Sequence, residues 1–145
     1  MKYRLVGSEM CIRDSYLISA ACQLVVAQRL ARKNCKECKV PDDDVNPKVL
    51  QDLGFSAEQA TRVKAIKGKG CAKCSDTGYK GRQGIYEILV VSKPLKEAIL
   101  RKATTPELRE IAIKEGFQTM QDMGRRLIAA GELNFREYER VLSNE

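Results

Sequence analysis

Hydrophobic and polar positions divide the chain into a leading apolar segment, a mixed middle and a helical tail. From Tyr16 to Lys33 the residues read as a helix, with Ala20, Ala21, Leu24, Ala27 and Leu30 as strong helix formers. Its apolar positions run almost all the way round at Leu24-Val25-Val26-Ala27, the pattern of a helix buried on every side. A chain of 145 residues offers little to cover such a helix, so it is expected to be the last helix of a larger domain. The isolated chain should then self-associate through it, and trimming to about Asn34 should relieve this. Further on, Asn46-Pro47 opens a short helix with Asn as N-cap and Pro at the first helical position. Val49, Leu50 and Leu53 give that helix its apolar side, and Gly54 ends it. Ser56 and Gln59 have the spacing of a capping box for another. Alternation from Arg62 to Lys67 predicts a strand, and Ile85 to Val91 a second. The second is apolar on its Tyr86, Ile88 and Val90 face and nearly so on the other, where Glu87 interrupts.

From Lys93 the pattern becomes a run of four short helices. Leu95, Ala98 and Ile99 mark the first. Thr104-Thr105-Pro106-Glu107 starts the second, with Leu108, Ile111 and Ala112 as its stripe and Gly116 as its stop. Met120, Met123, Leu127 and Ala130 line the third, ending at Gly131, and the methionines read as core filler. Asn134 with Glu137 caps the fourth, whose apolar side is Phe135, Tyr138, Val141 and Leu142.

Chemistry enters with two cysteine pairs, Cys35-Lys-Glu-Cys38 and Cys71-Ala-Lys-Cys74. A Cys-x-x-Cys turn offers two sulfurs to one metal with little strain, and two such turns complete a tetrahedral zinc shell. With no histidine in the chain, the four thiolates Cys35, Cys38, Cys71 and Cys74 form the expected site for one structural Zn2+. The gap between the pairs is longer than in common zinc ribbons, so it must hold structure of its own. The glycines between Cys74 and Arg82, Gly78 and Gly81, are those expected where backbone amides fold tightly over sulfur. Of the other cysteines, Cys22 reads as a small core residue. No export signal and no apolar run of membrane-spanning length is visible, so the paired cysteines point to metal and a cytosolic setting.

The net charge of +7 matters through its placement. Arg62, Lys64, Lys67, Lys69, Lys73, Lys80 and Arg82 face only Asp76 over that span, and Arg29, Arg32, Lys33, Lys36 and Lys39 surround the first cysteine pair. Such a patch could meet nucleic acid or anionic lipid. Alternatively it compensates the charge of about −2 on zinc with four thiolates. Compensation is the better supported of the two, because no aromatic residues interleave the lysines as a base-stacking surface needs.

Ala27-Gln28-Arg29-Leu30 before the first pair, with Gly70-Cys71-x-x-Cys74-x-x-Thr77-Gly78-Tyr79-x-Gly81-Arg82-x-Gly84-Ile85-Tyr86-Glu87, resembles the C-terminal part of type II secretion and type IV pilus assembly ATPases. The likeness runs from about Tyr16 to the C-terminus. It implies a hexameric motor that uses ATP and Mg2+ and is peripheral on the cytoplasmic face of the bacterial inner membrane. It also implies an inner-membrane platform protein as partner, and a tetracysteine zinc subdomain. The catalytic apparatus does not carry over: no Gly-x-x-x-x-Gly-Lys-[Ser/Thr] loop is present, and Gly68-Lys69-Gly70 lacks the spacing. No acidic residue follows an apolar strand as a magnesium-holding site requires. Only the four cysteines transfer, and no catalytic or nucleotide-binding residue is assigned.

The resulting expectation is an α+β chain: a small tetracysteine zinc subdomain with a short β element, then a mainly helical C-terminal subdomain. Residues 16–34 would be the last helix of a motor domain, 35–91 the zinc subdomain and 92–145 the helical subdomain. Residues 1–15 fit neither period, and Glu9 to Ser15 resembles a sequencing-library adapter translated in frame, which would make them an unstructured artefact and Cys11 no ligand. A zinc-ribbon nucleic-acid-binding module is the alternative function, though no nucleic acid is expected as partner. A DnaJ-type thiol chaperone would need several glycine-bearing repeats, and the first cysteine pair lacks the glycines. A redox role is weaker still, because neither pair sits at a recognisable strand-to-helix step.

Overall fold

The computed structural model describes residues 15–143. Cys11 and the adapter-like stretch lie outside them, apart from Ser15. Residues 15–21 are helical (α1), and β1 (Leu24–Asn34) follows. A 3-10 turn (Lys36–Cys38) then leads into β2 (Lys39–Pro41), α2 (Pro47–Asp52), α3 (Ala57–Arg62) and β3 (Ile66–Gly68). A second 3-10 turn (Ala72–Cys74) precedes β4 (Tyr79–Val90), after which come α4 (Lys93–Leu100), α5 (Thr105–Lys114), α6 (Met120–Ala129) and α7 (Phe135–Leu142). The chain is thus mixed helix and strand. β1 pairs with β4, and β2 pairs antiparallel with β3, with Lys39 opposite Gly68 and Pro41 opposite Ile66.

The expected helix from Tyr16 to Lys33 needs correction, because Leu24–Asn34 is a strand. Two adjacent β-branched residues, Val25 and Val26, stiffen the backbone against a helix, and pairing with β4 then overrides the helix propensity of the alanines and leucines. From Gln28 onward burial alternates with the period of a strand: Arg29, Ala31 and Lys33 are covered while Gln28, Leu30 and Arg32 are exposed. The next two strand predictions also shift. α3 runs through Arg62, so β3 starts only at Ile66, whereas β4 begins six residues early, at Tyr79. Along β4 the face that packs inward is that of Ile85, while Tyr86, Ile88 and Val90 point outward.

Contacts divide the described residues into two compact units. One comprises Glu87–Gln118 with the described residues up to Ala27, and the other Gln28–Tyr86 with Thr119–Glu145. In the first unit Leu95 and Ala98 of α4 and Ala112 of α5 are buried. Ser92 caps α4, accepting from the Leu95 amide, and its hydroxyl donates to Glu115 at 2.5 Å.

The second unit holds the larger core, in which Leu50, Phe55 and Ala60 of the inter-cysteine segment meet Ala31, Ile85, Met120, Ile128, Leu133, Tyr138, Val141 and Leu142. Helix caps predicted from local spacing are present: Asn46 accepts from the Val49 amide, and Ser56 and Gln59 form a reciprocal box. The buried line on α6 is Met120, Gly124 and Ile128, with Met123 and Leu127 at its margin and Ala130 exposed. Gly124 lies where α7 comes closest: a Cβ there would stand 2.5 Å from Leu142 Cδ1 and 2.6 Å from Tyr138 Cε2.

Candidate metal centre

Each cysteine pair is carried by a 3-10 turn, the first leaving β1 and the second entering β4. The intervening segment fills its length with α2, α3 and the β2–β3 ribbon, and the ribbon returns the chain to the first turn: the Lys69 amide donates to the Cys38 carbonyl at 2.9 Å. An ion-pair cluster fastens the ribbon, with Lys67 Nζ 2.8 Å from Asp42 Oδ1 and 3.2 Å from Asp44 Oδ2.

All four sulfurs converge. Their Sγ atoms lie within 4.8 Å of one another, with Cys35–Cys71 at 3.8 Å, Cys38–Cys74 at 3.9 Å and Cys71–Cys74 at 3.6 Å. Four thiolates bound at ~2.3 Å around one tetrahedral ion stand about 3.8 Å apart, so the cluster has the dimensions of a metal shell. Cys35 and Cys74 are buried and the other two half-buried. Cys22 belongs elsewhere, half-buried with its sulfur against the Leu24 carbonyl.

Backbone amides complete the surroundings. Gly70 N–H donates to Cys38 Sγ at 3.3 Å, and the Cys71 and Gly78 amides donate to Cys74 Sγ at 3.2 and 3.3 Å. Burial pushes the Cys74 thiol up, but those two amides and the neighbouring sulfurs outweigh it and bring it to about 6. At Cys38 burial outweighs the single Gly70 amide and, helped by the other sulfurs, pushes the thiol up to about 11. Four sulfurs this close resist full ionisation by themselves, and a bound dication supplies the charge that makes four thiolates compatible. The close approach explains two glycines. Gly68 and Gly78 cross so tightly that a Cβ on Gly68 would meet the Gly78 carbonyl oxygen at 2.0 Å, and one on Gly78 the Gly68 oxygen at 2.4 Å. No side chain fits either position.

One group beside the site escaped the sequence reading. Asn34, next to Cys35 and 1% exposed, ties the first turn to its surroundings by donating to the Ile66 and Gly131 carbonyls at 2.9 and 3.2 Å. Glu137 on α7 is also 1% exposed and accepts from the Arg32 amide at 2.8 Å, from Arg32 Nε and Nη2 at 3.1 and 2.8 Å, and from both Nε and Nη2 of Arg140. Arg32 in turn lies over the Tyr79 ring at 4.1 Å, and Asn134 donates to the Tyr79 hydroxyl at 2.9 Å. The spacing Asn134–Glu137 signals only a cap. Partners so distant in sequence leave no local trace.

Part of the charge near the site is compensated among the described residues. Lys33 and Lys39 pair with Glu132, and Lys73 pairs with Glu37. No helix of the described residues is long and apolar enough to cross a membrane.

Comparison with known proteins places this arrangement. The family model described as type II/IV secretion system protein matches residues 3–140. The type IV pilus assembly ATPase PilB of Thermus thermophilus is 39% identical over 111 residues, covering 77% of this chain and 12% of that protein. PilB of Myxococcus xanthus is 33% identical over 124 residues, covering 86% and 22%. The type II secretion system ATPase E of Vibrio cholerae is 31% identical over 139 residues, covering 83% and 27%. The chain therefore spans between 12% and 27% of the length of these relatives. By the extent of the family match, it belongs to the type II/IV secretion system protein family.

Proposed function

We propose that this chain is the C-terminal part of a hexameric ATPase motor that powers type IV pilus assembly or type II protein secretion. It supplies the structural zinc subdomain of that motor and not its catalytic site. The observation that carries the reading is the four-sulfur cluster of metal-shell dimensions in a member of this family. Cys35, Cys38, Cys71 and Cys74 would hold the Zn2+, and the ion supplies a cross-link between the two turns. ATP and Mg2+ are bound by other parts of the parent. The working location is the cytoplasmic face of the inner membrane, where the motor meets a platform protein. Lys64, Lys69 and Lys80, which have no ion pair among the described residues, are the side chains that anionic lipid would meet.

Metal analysis tests this directly, with one zinc per chain expected after removal of adventitious metal. Serine at any of the four cysteines should abolish binding and unfold residues 35 to 91 while leaving the C-terminal helices partly formed, because metal binding there supplies folding free energy on the order of 10 kcal/mol. The α4–α5 unit should keep its helical signal. Placed behind an intact motor domain of a relative, the wild-type chain should restore assembly and the serine variants should not. Much less than one zinc per chain would sink the reading.

A further inference from the structure

The second unit contains an open depression of about 440 Å3 lined by Leu30, Ala31, Arg32, Arg82 and Arg140. Three arginines line it, and among the described residues the one acid paired with any of them, Glu137, is shared between Arg32 and Arg140. The Arg82 side chain has no ion pair or hydrogen bond among the described residues. Two positive charges therefore remain uncompensated around one depression.

The arginines are held for use and not merely tolerated. Glu137 occupies Nε and Nη2 of both Arg32 and Arg140, which leaves Nη1 of each with no hydrogen bond among the described residues. The Tyr79 ring beneath Arg32 restricts its plane further. Much of the side-chain entropy of ordering two of the three guanidiniums is thus already spent before any ligand arrives. A guanidinium fork fits the oxygens of an oxyanion in pairs, as a lysine ammonium does not.

We propose that Arg32, Arg82 and Arg140 form a binding site for a phosphate monoester, with Leu30, half exposed on the same face of β1 as Arg32, taking the organic part. A phosphomonoester carries close to two negative charges at neutral pH, which matches the two uncompensated arginine charges better than a carboxylate does. The depression is open to solvent and has room for more than a bare phosphate. The site stands apart from the zinc reading: none of its three arginines is a metal ligand.

The test uses the full metal-loaded chain, with phenyl phosphate and inorganic phosphate as soluble probes and arginine side-chain NMR signals as readout. Vesicles of equal parts phosphatidylcholine and phosphatidate present the same headgroup on a membrane, and flotation reads their binding. Phenyl phosphate should shift the Arg32, Arg82 and Arg140 signals saturably and bind more tightly than inorganic phosphate. Arg82→Met should weaken it about tenfold, the loss of one charge-assisted contact, and Arg82→Lys should recover only part. Arg82 is exposed and unbonded, so neither change threatens the fold. Binding of both sources with this arginine dependence supports the site, and binding of vesicles alone with the same dependence assigns the ester to a lipid headgroup. Equal shifts from sodium chloride at matched ionic strength, or unchanged affinity in Arg82→Met, would overturn it.

Discussion

At the scale of single residues the informative group is Glu137. Although burial raises a carboxylate, the Arg140 and Arg32 contacts outweigh it and hold Glu137 down at about 2, against 4.5 for the free group. A group whose folded pKa is depressed favours the folded state above its unfolded pKa, and that advantage fades as pH falls through the folded value. The window here is from about pH 4.5 down to about 2. The shift corresponds to about 3 kcal/mol. Glu137→Gln should therefore cost about 3 kcal/mol at neutral pH, where two guanidiniums lose their counter-charge. Denaturant melts of wild type and variant at a series of pH values check this. Acid also releases metal from thiolates, but it does so in both proteins, so their difference isolates Glu137 and should shrink toward zero near pH 2. A difference that stays constant with pH would show that the residue matters only for packing.

The same scale shows what was legible beforehand. Cys35, Cys38, Cys71 and Cys74 could be grouped from spacing alone because each Cys-x-x-Cys is a local turn, and with no histidine to compete the grouping had one full solution. Asn46, Ser56 and Asn134 could be read as caps for the same reason: the partner amide lies three residues away. Glu137 and Arg32 are 105 residues apart, and nothing in either neighbourhood announces the other.

At the scale of elements, local propensity failed where pairing was non-local. Ala27 to Lys33 favours helix by composition, yet its hydrogen-bonding partner is β4, which begins only at Tyr79, and the ladder decided the conformation. The correction reverses an expectation about truncation. A chain starting at Asn34 would lose β1 with its buried Ala31 and the Arg32 contacts to Glu137, so it should be less stable and less soluble than the longer form. Leu24, Val25, Val26, Ile88 and Val90 are each about half exposed in the first unit, and they present the apolar surface expected to drive self-association. Val26→Lys with Ile88→Lys should lower the apparent mass in light scattering, and an unchanged profile would place the association elsewhere. The α6–α7 contact makes its own demand. Gly124→Ala gains about 1 kcal/mol of helix propensity but forces a methyl against Tyr138 and Leu142, an overpacking cost of roughly 1–3 kcal/mol. Urea melts should show a net loss, and a gain would mean that α7 can back away freely.

At the scale of the whole molecule, chemistry and structure part company. Relatives in this family are named as ATPases, yet phosphoryl transfer requires a backbone cradle for the phosphates, a lysine on the β/γ oxygens and a held magnesium ion. None of the glycine-containing turns here has the phosphate-loop spacing, and Gly68 and Gly70 are committed to folding the backbone around the sulfur cluster. Lys67, the best-positioned lysine nearby, is held by Asp42 and Asp44. Lys69 and Lys73 can attract a polyphosphate only as surface charges, without the fixed geometry that brings a nucleophile in line with a γ-phosphate. The purified chain should therefore release no phosphate from ATP above a protein-free control, with or without Mg2+. Binding of ATP through its lysines should fade as added salt shortens the screening length from about 10 Å at 0.1 M to about 3 Å at 1 M. Joined to a relative's motor domain, the same chain should support turnover that depends on the motor's own phosphate loop. Saturable, salt-resistant hydrolysis by the chain alone would require a catalytic site of a different kind, and would remove the ground for treating this subdomain as structural.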